Sequence, residues 1–246
     1  MMKPADNSVK HEASSVQPVV VIATHKRVAI TITTARNVLD QGAQLVLVYS
    51  DRKERTRFMN ALPEAVLCRY PNKPLGAKWQ HGVDVARNMD HSHIIILGSD
   101  DLLSKNYFHQ MRVVERFSDP DFSGFRQWYV YHGDTLYLFN YRPQQVLGGG
   151  RFYSRALLAH LNYQLFDTSK NRRLDDADAG GYAAHGFIVE NDLQTCDMAI
   201  LAVKGNWEQL NDMNKTLAHK NAILLNTWKD QAAAQIVKEK FGYVRN

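Results

Sequence analysis

The chain begins polar and turns apolar only at Pro18. Residues 1–17 mix charged, amide and small side chains without an apolar core, which predicts a disordered leader and no signal peptide. Pro18 to Thr24 is a continuous β-branched run, the pattern of a parallel strand buried on both faces. After the polar break His25-Lys26-Arg27, Ala29 to Leu39 reads as a helix stopped by Gly42. Gln44 to Ser50 is a second buried strand, Arg52 to Asn60 a charged helix, and Ala65 to Tyr70 a short third strand. Leu75 to Met89 carries Trp79, Val83 and Ala86 at helical spacing. A fourth strand, His93 to Leu97, runs into Gly98-Ser99-Asp100-Asp101. This alternation predicts an α/β fold with a mostly parallel sheet and right-handed crossovers. Ligands of such sheets bind beyond the carboxyl ends of the strands, where Thr24, Asp51 and Asp100-Asp101 all fall.

The pattern changes after residue 120. Ser123 to Tyr131 and Thr135 to Tyr141 are aromatic-rich and flank His132-Gly133-Asp134, which predicts a β-hairpin. Ser154 to Leu161 and Leu174 to His185 read as helices, Phe187 to Val189 and Met198 to Val203 as strands, and His219 to Phe241 as a helical tail. The second half is therefore an elaboration of a single domain.

Composition narrows the classes. The 246 residues, 45% hydrophobic and 22% charged, are ordinary for a globular chain. Two cysteines far apart, Cys68 and Cys196, argue against a disulfide scaffold or a structural zinc site and for buried free thiols. No apolar run approaches the ~20 residues of a membrane span, so a soluble, cytoplasmic protein is expected. Lys+Arg 30 against Asp+Glu 25 gives a net charge of +5, which suits an acidic partner without specifying one.

Four segments carry candidate chemistry. Asp100-Asp101 places two carboxylates at the end of a buried strand, where a divalent cation relieves both repulsion and lost hydration; helix capping is the structural alternative. Asp175-Asp176-Ala177-Asp178 offers a general base, or else an acidic first turn of a helix. Gly148-Gly149-Gly150-Arg151 permits close backbone approach to a ligand but matches neither a P-loop nor GxGxxG. Gly76-Ala77-Lys78-Trp79 puts Lys78 at a helix start, in reach of a diphosphate or of solvent. His91 and His93 straddle a turn and a strand start, which argues against a metal site.

Taken in order, these pieces resemble the GT-A fold glycosyltransferases, in particular the family-two group that uses nucleotide-diphosphate sugars. The resemblance rests on a strand ending in Ala-Thr24, Ser50-Asp51, Gly76-Ala-Lys78, Gly98-Ser-Asp-Asp101, Gly148-Gly-Gly-Arg151 with Ser154-Arg155, and Leu174-Asp-Asp176. It spans about residues 18–205. It implies a Rossmann-like αβα sandwich with a nucleotide-binding half (18–119), an acceptor half (120–205) and a C-terminal helical extension (206–246). It implies that Thr24 sits against the nucleotide, that Asp51 bonds the base and that Lys78 approaches nucleotide or diphosphate. Asp100 would touch ribose or metal, and Asp101 would hold Mn²⁺ or Mg²⁺ on the diphosphate. Asp176, in the pair Asp175-Asp176, matches the acceptor base of inverting members, with Asp178 as the alternative register. The sequence departs from the family in Gly98, where an aspartate is usual, and in lacking the glutamate of the base pair. It also lacks a QxxRW motif, so processive synthesis is not implied.

Two other classes fit less well. Nucleotidyltransferases carry a glycine-rich loop after the first strand, and Thr24-His-Lys-Arg-Val28 has no glycine. A non-catalytic nucleic-acid-binding protein would not account for carboxylates at two places. The donor that the resemblance implies is a UDP-sugar. The acceptor suggested by similarity to bacteriophage-type enzymes is a hydroxymethylated base in DNA, and Arg172-Arg173 would fit phosphate contacts, although a solvated loop is the favoured reading of that pair; an intermediate of a surface glycan is the alternative acceptor.

Overall fold

A computed structural model describes residues 17–141, 146–172, 174, 179–190, 198–204 and 222–244. Residues 1–16, and Cys196, lie outside the described residues. The elements of residues 18–119 form as their pattern predicts. Strand β1 (Val19–Ala23) leads to α1 (Val28–Leu39), β2 (Gln44–Tyr49), a three-ten turn (Arg52–Glu54), α2 (Arg55–Ala61), β3 (Val66–Arg69), α3 (Leu75–Arg87) and β4 (His93–Gly98). β1 pairs in parallel with both β2 and β4, Val21 lying opposite Val46 on one side and Ile96 on the other. Its residues alternate between two cores. Val20 and Ile22 face α1 and the second half of the chain, while Val19 and Val21 face Val83 and Ala86 of α3. Burial on both faces is why these strands need unbroken apolar runs.

The next elements are β5 (Asp101–Leu103), α4 (Tyr107–Phe117), β6 (Phe122–Ser123), β7 (Gln127–His132), β8 (Thr135–Tyr141), β9 (Arg151–Ser154), α5 (Arg155–His160), α6 (Ala179–Ala184), β10 (Val189–Glu190), β11 (Ile200–Lys204), β12 (Ala222–Lys229) and α7 (Asp230–Phe241). The first sheet runs β10-β6-β9-β4-β1-β2-β3. Antiparallel β9 covers the flank of β4. β7 and β8 form the expected hairpin.

The structure adds a second sheet, ordered β12-β8-β7-β11-β5. Its inner face joins the core of β1 through Trp128, Val130, Phe139 and Ile200. Its outer face, with Leu136, Leu201 and Val203, is covered by Ala233, Val237 and Phe241 of α7. The C-terminal segment is accordingly not a helical tail from residue 219. Ala222–Lys229 is a strand paired antiparallel with β8, and only Asp230–Phe241 is helical. Ile223, Leu224 and Trp228 do fall at helical spacing, but the open edge of β8 outweighs that local pattern. Among the described residues, no helix is long and apolar enough to cross a membrane. Cys68 is a half-buried free thiol, pushed up to about 11 by burial.

Candidate active site

Strand order reverses at the β1/β4 boundary, since β2 and β3 lie on one side of β1 and β4 on the other. A crevice opens at such a switch point, beyond the carboxyl ends of the strands. The β1 end is built tightly. Thr24 donates its amide to Val48 O at 2.9 Å, and its hydroxyl lies 2.7 Å from the Thr31 hydroxyl on α1. Thr34 donates to Ser99 O at 3.2 Å, fastening α1 to the end of β4. The Thr24 side chain and amide are therefore both engaged within the fold.

Lys78 reaches that rim from α3. Its ammonium donates to Thr24 O, to Ser50 Oγ at 2.7 Å and to Asn72 Oδ1 at 3.2 Å, and the side chain is buried. Burial pushes its pKa down to about 8, against the raising effect of Glu54. The helix start itself is occupied by the chain. Leu75 N donates to Asn171 Oδ1 at 3.1 Å and Gly76 N to Lys170 O at 2.8 Å. Lys78 thus ties together the ends of β1 and β2 rather than projecting from an open helix N-terminus.

Asp51 caps the three-ten turn, accepting from Lys53 N at 2.9 Å. Glu54, buried, accepts from Asp51 N at 3.3 Å and from Lys26 N at 2.6 Å. One carboxylate thereby clips the β1–α1 loop to the β2–α2 turn, a role that sequence spacing does not reveal. His25, in the same loop, has its pKa lowered by burial and by Lys78 and Lys26.

The acidic pair sits at the end of β4 and the start of β5. Asp100 is buried between two cations. Arg27 Nη1 lies 3.1 Å from Oδ1, and Lys204 Nζ lies 2.7 Å from Oδ2. Burial alone would raise this carboxyl; Lys204 and Arg27 outweigh it and hold Asp100 below the usual range. Asp101 behaves oppositely. Burial, then the charge of Asp100, push it up to about 7. Its carboxylate rests between two glycines. A Cβ at Gly98 would come within 2.2 Å of Asp101 Oδ2, and one at Gly149 within 2.5 Å. The Gly148–Gly150 turn is pinned beside it by the bond from Gly150 N to Ile96 O at 2.7 Å. The glycine run therefore accommodates an aspartate.

These contacts bear on a divalent cation. Both oxygens of Asp100 face protein cations, which does not suit a metal ligand. Asp101 is a desolvated carboxylate beside a like charge, and a hard cation with oxygen ligands relieves that strain. Asp101 is thus the residue here that would hold such an ion, as a single protein ligand. Among the described residues, no group of three His, Cys, Asp or Glu side chains could hold a metal ion.

Thr24 and Lys78 are in direct contact, and Asp100 and Asp101 stand across the β1/β4 boundary from them. Asp175, Asp176 and Asp178 lie outside the described residues, as does Arg173; Arg172 is exposed. Leu174 is described: its Cδ2 would lie 3.2 Å from a Cβ at Gly76, so the chain reaches the start of α3 just before the acidic cluster.

No family model matches the chain, and no curated protein matches it. Its structure is similar to crystal structures of S. aureus TarS 1–349. The first has a TM-score of 0.55 at 14% identity, covering 76% of this chain and 60% of that one. The complex with UDP-GlcNAc has a TM-score of 0.54 at 13% identity, covering 80% and 61%. The complex with UDP has a TM-score of 0.53 at 12% identity, covering 77% and 61%. The chain spans about three fifths of the length of those structures. The likeness establishes the GT-A type of α/β fold for the described residues.

Proposed function

We propose that this chain is a nucleotide-sugar glycosyltransferase that moves a sugar from a UDP-sugar to an acceptor hydroxyl, with inversion at the anomeric carbon. The observation that carries the reading is the placement of Asp101, with the Arg27–Asp100 pair beside it, at the β1/β4 switch point. The UDP-GlcNAc and UDP complexes of S. aureus TarS, on the same fold, support the choice of donor.

Asp101 would hold Mn²⁺ or Mg²⁺, and such an ion would supply charge neutralisation for a leaving diphosphate. The protein's own groups do the rest. Thr24 and Asp51 border the nucleotide at the ends of β1 and β2, and Lys78 holds those ends in register. The acceptor oxygen attacks the anomeric carbon as the bond to the diphosphate breaks. Asp176 takes the acceptor proton from the face opposite the diphosphate, which is the geometry of inversion.

The acceptor in this reading is a hydroxymethylated base in DNA, in a bacteriophage-type modification; the supporting feature is the +5 net charge, which suits phosphate contacts. The surface-glycan acceptor is the alternative. Incubation with radiolabelled UDP- and GDP-sugars, with Mn²⁺ or EDTA, and with hydroxymethylated DNA, unmodified DNA or glycan acceptors tests all parts together. Label transfer or donor hydrolysis dependent on Mn²⁺ supports the reading. Absence of both for every donor sinks it, and transfer to glycans alone moves the acceptor.

A further inference from the structure

Arg52, Lys53, Arg55 and Arg57 fall within six residues, in the three-ten turn after β2 and in α2, and all four are exposed. The fold turns them outward. A capping box between Asp51 and Glu54 fixes the turn, and Phe58 and Leu62 take the inner side of this segment into the core. Two more exposed cations stand beside them. Arg69, at the end of β3, donates from Nε to Ser50 O at 3.4 Å, next to the turn. Lys73 follows Asn72, whose Oδ1 shares the Lys78 ammonium with Ser50 Oγ.

The acidic residues of this stretch are engaged elsewhere. Asp51 caps the turn, Glu54 is buried against Lys26 N, and Glu64 pairs with Arg36 at 3.1 Å. Among the described residues, none of the six cations forms an ion pair with a carboxylate. Arg52 and Arg55 are three positions apart and Lys53 and Arg57 four, the spacings at which side chains on helical backbone are neighbours. Like charges there repel, so the cluster gains the fold nothing and suits a partner that brings the anions. From Arg52 to Arg57 the backbone rises about 8 Å. Duplex DNA presents about four or five phosphate charges over that length.

We propose that the turn after β2, α2 and the end of β3 form a docking surface for the phosphate backbone of duplex DNA. The proposal rests on the transferase reading, which puts Asp51 at the nucleotide and so sets this surface beside the crevice, and it names where that reading's acceptor is held. Each phosphate contact releases condensed counterions and carries no sequence information. The contacts fix the duplex at the rim, and the base to be modified leaves the stack to enter the crevice.

The test is an anisotropy titration of the full chain with a labelled hydroxymethylated duplex, between about 50 and about 200 mM salt. Wild-type affinity should fall steeply across that range. Arg55→Gln/Arg57→Gln should weaken the duplex at least about tenfold at the lower salt and flatten the slope of log affinity against log salt by about 1.8, the share of two phosphate contacts. Its affinity for UDP should stay within about twofold, and its thermal midpoint should not fall, because a repulsive cluster has been thinned. Arg112→Gln/Arg116→Gln, at exposed positions of α4, removes the same net charge and should leave duplex affinity within about threefold. A wild type that does not bind the duplex at the lower salt, or equal weakening by the two double variants, overturns the surface. Binding to anionic phosphatidylserine vesicles that excess duplex fails to displace overturns it as well. If Arg55→Gln/Arg57→Gln fails to fold, Arg69→Gln/Lys73→Gln decides by the same criteria. None of these outcomes touches the transferase reading, which falls instead if the wild type neither binds UDP nor transfers label from any donor.

Discussion

Lys204 Nζ lies 2.7 Å from Asp100 Oδ2, although 104 positions separate the two residues in the chain. The contact joins the end of a strand in the second sheet to the end of β4 in the first. The rim of the candidate site is therefore completed by both halves of the domain, and neither half alone contains it.

The stability of the molecule should depend on that contact. Asp100→Asn leaves Arg27 and Lys204 facing each other without their shared carboxylate. Breaking a buried pair in this way costs about 3 kcal/mol. Chemical denaturation at pH 7 measures it. Because Asp100 is held below the usual carboxylate range, its contribution is present above its ordinary pKa and is lost as pH falls through the depressed value. The gap between wild type and Asp100→Asn should accordingly close in strong acid. A gap that stays constant down to low pH would show that the pair does not set the acid response.

Asp101 should have the opposite sign. Its carboxyl is pushed up to about 7 from an ordinary 3.8. A raised carboxyl favours the fold while protonated in both states, below about pH 4, and that advantage is lost as pH rises through 7. Asp101→Asn has no such titration. In EDTA, its stability relative to wild type should grow between pH 4 and pH 8, by an amount on the order of a few kcal/mol. Urea midpoints across that range give the comparison. Parallel curves would mean that Asp101 is not desolvated.

The two glycines beside Asp101 should separate activity from stability. Gly149→Ala sets a methyl 2.5 Å from Asp101 Oδ2, the movable end of a side chain. The fold can absorb this by turning the carboxylate, so stability falls by less than about 1 kcal/mol, while misplacement of Asp101 lowers kcat/KM roughly 10–100-fold. Gly150 has φ +76°, and a Cβ there would lie 2.7 Å from the buried Phe125 ring. Gly150→Ala should cost about 2–4 kcal/mol from the left-handed backbone and the overpacking together. Thermal unfolding and transfer kinetics on the pair check both. Equal losses in both variants would show that the turn has a single role.

What the sequence makes legible follows from how local each signal is. Continuous apolar runs mark β1, β2 and β4 because burial on both faces demands them. Asp100-Asp101 is visible because it stands directly after such a run. The second sheet is hidden because its pairings are distant. β5 has three residues and sits where a helix cap would also fit, and its partner β11 lies about a hundred residues away. β12 has Ile223, Leu224 and Leu225 all exposed, so no inside-outside alternation betrays a strand. The cations of the site are hidden for a related reason. Arg27 looks like part of a polar break, and Lys204 like the polar end of an apolar strand. The one available signal was that Lys204 closes the run from Met198, placing a charge at a strand's carboxyl end.

The acceptor base is the assignment that separates mechanism from binding. Asp176 is proposed to take the acceptor proton, whereas Asp101 is proposed to act at the diphosphate. Variants of the two groups should then fail differently. Asp101→Ala should weaken UDP binding in the presence of Mn²⁺ as well as turnover. Asp176→Asn keeps size and hydrogen bonding but has lost the proton acceptor. It should bind UDP as wild type does and lose roughly 10²–10⁴-fold in kcat, the usual contribution of a positioned base. Asp175→Asn and Asp178→Asn fix the register. If Asp178→Asn is inactive while Asp176→Asn transfers normally, the base is Asp178 and the mechanism stands. If all three variants retain full transfer, no carboxylate of this cluster takes the proton, and the segment is an acidic helix start with no part in the chemistry.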